Sequence, residues 1–214
     1  RASIVPVSVY KKSTQECWID NEELKFTFNA KEYALPFSKI LLPGPHNQSN
    51  IMHAVSAVLP YLKSAESVIA TLKTFSGIEH RIEYCGKLKD ISCYNDSKAT
   101  NLDSVQAALK SFPENIHLIM GGRDKKGEFQ LIETYADHIK TAYLIGEAAD
   151  SIQSQIPKIE TQICNTMENA IDSALNNFVK GDILLLSPGC ASFDQYANFE
   201  ERGRHFKQLI KAKK

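Results

Sequence analysis

The opening stretch of the chain sets short β-type runs of apolar residues between polar ones: Ile4 to Tyr10, Cys17 to Asp20, Leu24 to Phe28 and Lys31 to Leu35. Such runs predict short strands. Turn residues such as Asp20-Asn21 separate the runs, and the breaker cluster Pro43-Gly44-Pro45 ends the pattern. Beyond it, Ile51, Ala54, Val55, Val58 and Leu62 recur at helical spacing, which predicts a helix from about Asn47 to Leu62. A shorter helix, Glu66 to Thr74, runs into Phe75-Ser76-Gly77, with Gly77 placed to cap it. These few strands and two helices are expected to leave an apolar face bare.

From about Ile78 the period changes. Strand patterns at Ile82 to Cys85 and Lys89 to Tyr94 come first. Helices and strands then alternate: helix Leu102 to Ser111, strand Ile116 to Met120, helix Gln130 to His138 and strand Thr141 to Ile145. Helix Ala148 to Gln155, strand Thr161 to Cys164, helix Met167 to Phe178, strand Ile183 to Ser187 and a last helix from about Gln195 to Ala212 complete the series. Such alternation predicts an α/β fold with a doubly wound, mostly parallel sheet covered on both faces. The apolar runs Ile116 to Met120 and Ile183 to Leu186 suit its central, buried strands.

Composition narrows the class only slightly. The chain has 214 residues with 25 basic and 25 acidic side chains. That balance gives no ground for a nucleic-acid or membrane partner. Five widely spaced cysteines without a CxxC pair predict neither zinc knuckle nor disulfide framework. Reduced thiols in a cytoplasmic protein are expected, and a monomer. The chain begins with Arg1, and its first residues already read as a strand within a fold, the pattern expected of the middle of a longer protein.

Ligands of doubly wound sheets bind outside the carboxyl ends of the strands. Three turns there carry chemistry. The first, Asn95-Asp96-Ser97-Lys98-Ala99-Thr100-Asn101, packs a carboxylate, an ammonium, two hydroxyls and two carboxamides ahead of a helix. A helix N-terminus offers unpaired N–H groups and suits anions. The second is Gly121-Gly122-Arg123-Asp124-Lys125-Lys126-Gly127, and the third Ser187-Pro188-Gly189-Cys190-Ala191-Ser192-Phe193. Singly, each has a plain explanation: Ser97 or Thr100 as a helix cap, the charges as a solvated run, Cys190 as buried filler. Together they would suit a small anionic substrate, a carboxylate in particular. A fourth turn, Gly146-Glu147, is expected to be plain. The chain holds no Gly-x-x-x-x-Gly-Lys-Ser/Thr and no complete Gly-x-Gly-x-x-Gly.

Three segments resemble one family. Pro43-Gly44-Pro45-His46-Asn47-Gln48-Ser49-Asn50 resembles the G-x-H-N-x-x-N segment of the Mur ligases, ATP-dependent amino-acid ligases of peptidoglycan synthesis. Asn95 to Asn101 is similar to the N-D-S-K-A-T-N segment of the D-glutamate-adding branch. Leu186 to Tyr196, continuing through Asn198-Phe199-Glu200 to Arg202-Gly203, is similar to that branch's C-terminal signature, with Gly189 where Ala is common. The resemblance runs in register from about Leu42 to Phe206. It implies that residues 1–76 are the end of an ATPase central domain and residues 77–214 a C-terminal Rossmann-like domain. It places the UDP-binding domain, the P-loop, the magnesium-binding Glu and His and a carbamylated Lys outside these residues, so no metal ligand is expected here.

The resemblance also implies roles. Asn47 and Asn50 match residues that hold adenine, with helix capping a second role for Asn47. Arg81 matches an arginine that reaches ATP, and Asp96 a nucleotide-contacting acid at the ribose. Lys98 matches a lysine near the reacting phosphate and acyl groups, so Lys98 and Asp96 are the catalytic candidates. Thr100, Lys125 (rather than Lys126), Ser192 and Phe199 match positions around the incoming D-glutamate. The implied substrates are UDP-N-acetylmuramoyl-L-alanine, D-glutamate and ATP with Mg2+, joined through an acyl phosphate in an active site shared between domains. Two other readings stand beside this one: a different Mur or folylpolyglutamate-type ligase, and a non-catalytic Rossmann-like binding module.

Overall fold

The computed structural model describes residues 7–8, 16–42, 44–112, 114–123 and 126–213. The chain divides into two compact units, residues 1–76 and 77–214.

In the first unit, β1 (Val7–Ser8), β2 (Cys17–Asp20), β3 (Glu23–Phe28) and β4 (Lys31–Pro36) form one sheet in that order. Of the strand expected over residues 4–10, Val7 and Ser8 alone fall among the described residues. Two hairpins join β2 to β3 and β3 to β4 through Asn21-Glu22 and Asn29-Ala30, all four at positive φ. Paired left-handed residues match the twist of two-residue hairpins.

Helix α1 (Pro45–Val58) starts two residues before the expected Asn47, with Gly44 as its cap at φ 95°. Asn47 is therefore inside the first turn and is not the cap. Pro60 has no N–H to continue the α pattern, and a 3-10 turn, Leu59–Tyr61, ends the segment. Helix α2 (Ala65–Thr74) is capped by the Ser64 hydroxyl and stops where Phe75 turns extended. Gly77, at φ 99°, lies beyond that stop and is not the cap expected from the sequence. The unit encloses a cluster of Leu24, Phe26, Leu35, Ile51, Met52 and Val55, while Leu41, Val58 and Tyr61 stay exposed.

The second unit holds a six-stranded sheet. Its strands are β5 (Glu83–Leu88), β6 (Ile91–Asn95), β7 (Ile116–Gly121), β8 (Ile139–Ile145), β9 (Thr161–Asn165) and β10 (Ile183–Gly189), in the order β5-β6-β10-β7-β8-β9. β5 and β6 pair antiparallel and the rest parallel. Lys89-Asp90, expected inside a strand, is instead the left-handed hairpin turn between β5 and β6.

The helices α3 (Leu102–Leu109), α4 (Ala149–Gln155), α5 (Met167–Asn177) and α6 (Phe199–Ala212) connect and cover this sheet. Alternate residues of the central strands serve the two faces. Leu118, Met120, Leu144 and Leu185 pack with α3 and α4 on one side; Ile119, Tyr143, Leu184 and Leu186 pack with α5 and α6 on the other. The helix expected at 130–138 is a 3-10 segment, Phe129–His138, broken at Tyr135. Its apolar residues Phe129, Ile132 and Tyr135 recur every three positions, the repeat of a 3-10 turn. Helix α6 begins at Phe199 rather than Gln195 because Asn198 caps it, accepting from Glu201 N at 2.7 Å.

The chain leaves β6, skips a place to β7, runs outward to β9 and returns as β10 into the gap. The strand order reverses there, so the carboxyl ends of β6, β10 and β7 stand side by side. Those ends carry the three polar turns.

Candidate functional site

Backbone bonds stitch the turns together. Asp96 N donates to Leu186 O at 2.8 Å, Gly189 N to Ala99 O at 2.9 Å, and Arg123 N to Ala191 O at 2.9 Å. Gly121 and Gly122 sit at φ 120° and 131°. A Cβ on Gly121 would lie 2.0 Å from Ile145 O, and one on Gly122 2.3 Å from Ala191 O. Only glycine lets the second turn pass this close to its neighbours.

Asp96 is 6 % exposed. Its Oδ1 accepts from Ile82 N at 3.3 Å and its Oδ2 from the Ser187 hydroxyl at 2.8 Å. Burial pushes its pKa up to about 7, against the pull of Ser187, Ile82 N–H and the Arg81 charge. The carboxylate thus ties the first turn to the third and to the segment bearing Arg81. Arg81 is exposed between His80 and Ile82, both at positive φ. A β-branched residue rarely adopts that conformation, and the Asp96 bond holds Ile82 in it.

Lys98 is exposed, with Nζ 4.8 Å from the centre of the half-buried Phe199 ring. Thr100 is half-buried. Neither Ser97 nor Thr100 caps α3; Asn101 does, accepting from Ser104 N at 2.9 Å. Ser192 is buried, and its carbonyl accepts from Gln195 and Tyr196 N–H. Phe193 beside it is an exposed ring. Lys125 lies outside the described residues, as does Asp124, while Lys126 is exposed at φ 63°. Asn47 and Asn50 belong to the first unit, one turn apart on α1.

Several residues on which this edge depends were not singled out by the sequence. Arg202, 1 % exposed, reaches from α6 to the first and third turns. Its Nε donates to Ser97 Oγ at 3.0 Å, its Nη2 to Ser97 O at 2.9 Å, and both Nη atoms to Cys190 O at 3.1 Å. Ser97 Oγ donates in turn to Phe199 O at 2.8 Å. The fourth turn is not plain. Glu147 accepts a two-point pair from Arg123, both bonds 3.1 Å, and its N–H donates to Asp194 at 3.2 Å. Arginine inside a signature, or glutamate in a short turn, gives no sequence sign of its partner.

His80 is a second hub. Its N–H donates to Glu83 Oε2 at 3.0 Å and its carbonyl accepts from Lys98 N at 3.1 Å. Asn95 Nδ2 lies 2.9 Å from His80 Nδ1 and 3.0 Å from Glu83 Oε2. The amide nitrogen must donate to the carboxylate, so Nδ1 accepts and the proton sits on Nε2. Burial keeps the imidazole pKa below its usual value.

Glu79, His80 and Glu83 are the group of metal-type ligands close enough to share an ion among the described residues. They do not fit one. The Lys207 ammonium already bridges Glu79 and Glu83 at 2.6 and 2.9 Å, and the buried His80 Nε2 carries a proton rather than a lone pair. No described helix is long and apolar enough to cross a membrane.

Residues 80–190 match the family described as Mur ligase, glutamate ligase domain. The UDP-N-acetylmuramoylalanine–D-glutamate ligase of Koribacter versatilis (strain Ellin345) is 40 % identical over 178 residues, 83 % of this chain and 39 % of its own. The protein of the same name from Syntrophus aciditrophicus (strain SB) is 41 % identical over 184 residues, 85 % of this chain and 41 % of its own. The chain spans about two-fifths of the length of these curated relatives. Mycobacterium tuberculosis folylpolyglutamate synthase, solved with ADP and AMPPCP, shares the fold at 12 % identity and a TM-score of 0.59, over 90 % of this chain and 48 % of its own. A doubly wound sheet with its polar turns at the strand-order reversal, and a match that runs from His80 through the first two turns and into the third at Cys190, make this chain a member of the Mur ligase family.

Proposed function

We propose that the protein containing this chain is an ATP-dependent ligase that adds D-glutamate to UDP-N-acetylmuramoyl-L-alanine, acting in the cytoplasm as a monomer. Residues 1–76 would be the end of its ATP-binding central domain and residues 77–214 its amino-acid-delivering domain. The observation that carries the reading is the edge where Arg202 ties the first turn, which bears Lys98 and Thr100, to the third, which bears Ser192. Relatives bearing that enzyme's name support it.

The chemistry asks for anions to be gathered and water kept away. The L-alanyl carboxylate takes the γ-phosphoryl group of ATP. The D-glutamate amine then attacks the acyl carbon. A C–N bond forms, the amine loses a proton, and the C–O bond to phosphate breaks. Lys98 would stand by the phosphoryl and acyl oxygens and offset their charge. Thr100, Ser192 and Lys125 would hold the two carboxylates of D-glutamate, the lysine by charge and the hydroxyls by hydrogen bonds. Phe199 would stand beside them. Arg81 would reach the ATP phosphates, while Asp96 fixes Ile82 and Ser187 and keeps lone pairs for a ribose hydroxyl. Asn47 and Asn50 would read adenine. Mg2+ enters this reading through the family; the carboxylates of Glu79 and Glu83, bridged by Lys207, do not fit it.

The test is an amino-acid panel. Full-length protein is incubated with ATP, Mg2+ and UDP-N-acetylmuramoyl-L-alanine, and phosphate release is followed with D-glutamate, L-glutamate, L-alanine or diaminopimelate. Release that depends on D-glutamate is expected. Release with another amino acid, or none at all, overturns the reading.

A further inference from the structure

We propose that Phe199 is a positioning residue for Lys98. Its ring carries the Lys98 ammonium, and His80 and Ser97 hold that ring in place.

Lys98 Nζ lies 4.8 Å from the Phe199 ring centre, inside the range in which the ring quadrupole attracts a cation. A lysine ammonium on an exposed four-carbon stem samples many rotamers, and this contact favours those in which it rests on the ring. The ring itself is fixed from several sides. Phe199 is the first residue of α6, behind the Asn198 cap. Its carbonyl accepts from the buried Ser97 hydroxyl at 2.8 Å. The His80 ring meets it edge-on, with centroids 5.9 Å apart and planes at 87°.

His80 cannot drift. Asn95 holds Nδ1 at 2.9 Å, and Gly203 backs the ring so closely that an added Cβ would lie 2.2 Å from Nδ1. The backbone closes the loop, since Lys98 N donates to His80 O at 3.1 Å. One lysine is thus tied by its main chain to His80 and by its ammonium to the ring His80 supports. A wall for the amino acid would need none of this. The arrangement aims a cation, and its kinetic consequence rests on the ligase reading above.

Two measurements test it. In this chain with 13C-labelled lysine, the Lys98 ε-methylene protons, assigned with Lys98→Arg, should resonate upfield and show NOEs to the Phe199 ring. Phe199→Leu should return them to ordinary positions and Phe199→Trp should keep the shift. Ordinary shifts and no NOE in the unsubstituted chain overturn the proposal whether or not the Phe199 variants fold. In the full-length enzyme, Phe199→Leu should lower kcat about two- to fivefold with the KM for D-glutamate little changed, and Phe199→Trp should restore it. A raised KM with kcat intact would mean that the ring serves the amino acid, and would overturn the proposal while leaving the ligase reading in place. An enzyme without D-glutamate-dependent turnover would remove the ligase reading, and the resonance experiment would still decide the contact.

Discussion

Nη2 of Arg202 lies 2.9 Å from the carbonyl oxygen of Ser97, joining the first turn of α6 to the loop after β6. The same guanidinium donates to Cys190 O in the loop after β10. Burial draws its pKa down to about 10, which leaves it charged at neutral pH. Its partners are carbonyl dipoles and a hydroxyl, arranged to suit a planar fork of donors. Arg202→Lys should therefore cost about 1–3 kcal/mol, because a point ammonium leaves at least one buried acceptor unpaired. Urea unfolding of the two forms measures this. An unchanged midpoint would mean that the turns are held by their backbone bonds alone.

Asp96 should make the fold less stable as the pH rises. Its folded pKa, about 7, lies above the ordinary carboxylate value, so the folded state binds the proton more tightly. The contribution is greatest below pH ~4, declines between ~4 and ~7, and is constant above. Asp96→Asn keeps an acceptor for Ile82 N–H and offers a donor to Ser187, and it carries no charge. Thermal unfolding across pH 5 to 8 should show a falling Tm for the parent chain and a flatter profile for the variant. Parallel profiles would mean that the carboxylate is fully compensated as an anion.

The parallel sheet was legible because its central strands are continuous apolar runs such as Ile183 to Leu186, and because polar turns follow those strands. The frame of the site was not. A sequence shows that Arg202, Glu147 and His80 exist; it does not show that one buries a charge against two carbonyls, that the next pairs with Arg123, or that the third props a ring. Those bonds span separations such as the 105 residues between Ser97 and Arg202, which no local period encodes. The misplaced boundaries have local causes. Asn198 competes with Gln195 to start α6, and Lys89-Asp90 makes a hairpin turn without the usual Asn-Gly signal.

At the opposite, amino edge of the second sheet, Asp182 is the centre of a buried polar network. Its Oδ2 accepts from His117 Nε2 and Val179 N, each at 2.9 Å, and its Oδ1 from Lys140 at 2.6 Å. Burial pushes the carboxyl pKa up, but the Lys140, Val179 and His117 hydrogen bonds outweigh it and the net shift is downward. Asp182→Ala should cost roughly 3–5 kcal/mol, since it strands a buried imidazole and an ammonium. Because the folded pKa is depressed, the carboxylate's contribution is present above pH ~4 and is lost as the pH falls through the folded value. Denaturant midpoints at pH 7 and pH 3 should differ more for the parent chain than for the variant. In the full-length enzyme the KM for each substrate should not move.

Lys125 and Ser192 carry the amino-acid side of the proposed reaction. In that reading Lys125→Ala would remove the positive charge proposed to face a carboxylate, and Ser192→Ala removes one hydroxyl from a buried turn. A charge-assisted bond contributes about twice what a neutral one does, so the lysine variant should raise the KM for D-glutamate more than the serine variant. A rise of about tenfold or more is expected for Lys125→Ala, corresponding to the loss of one hydrogen bond to a charged group. The KM for ATP should stay within about twofold in both, because Arg81, Asn47 and Asn50 are untouched. Lys126→Ala is the control: its neighbour keeps the carboxylate, and D-glutamate kinetics should match the parent. Initial rates at varied D-glutamate and ATP decide the matter, and unchanged D-glutamate kinetics in both Lys125→Ala and Ser192→Ala would sink the assignment of these residues to the amino-acid site.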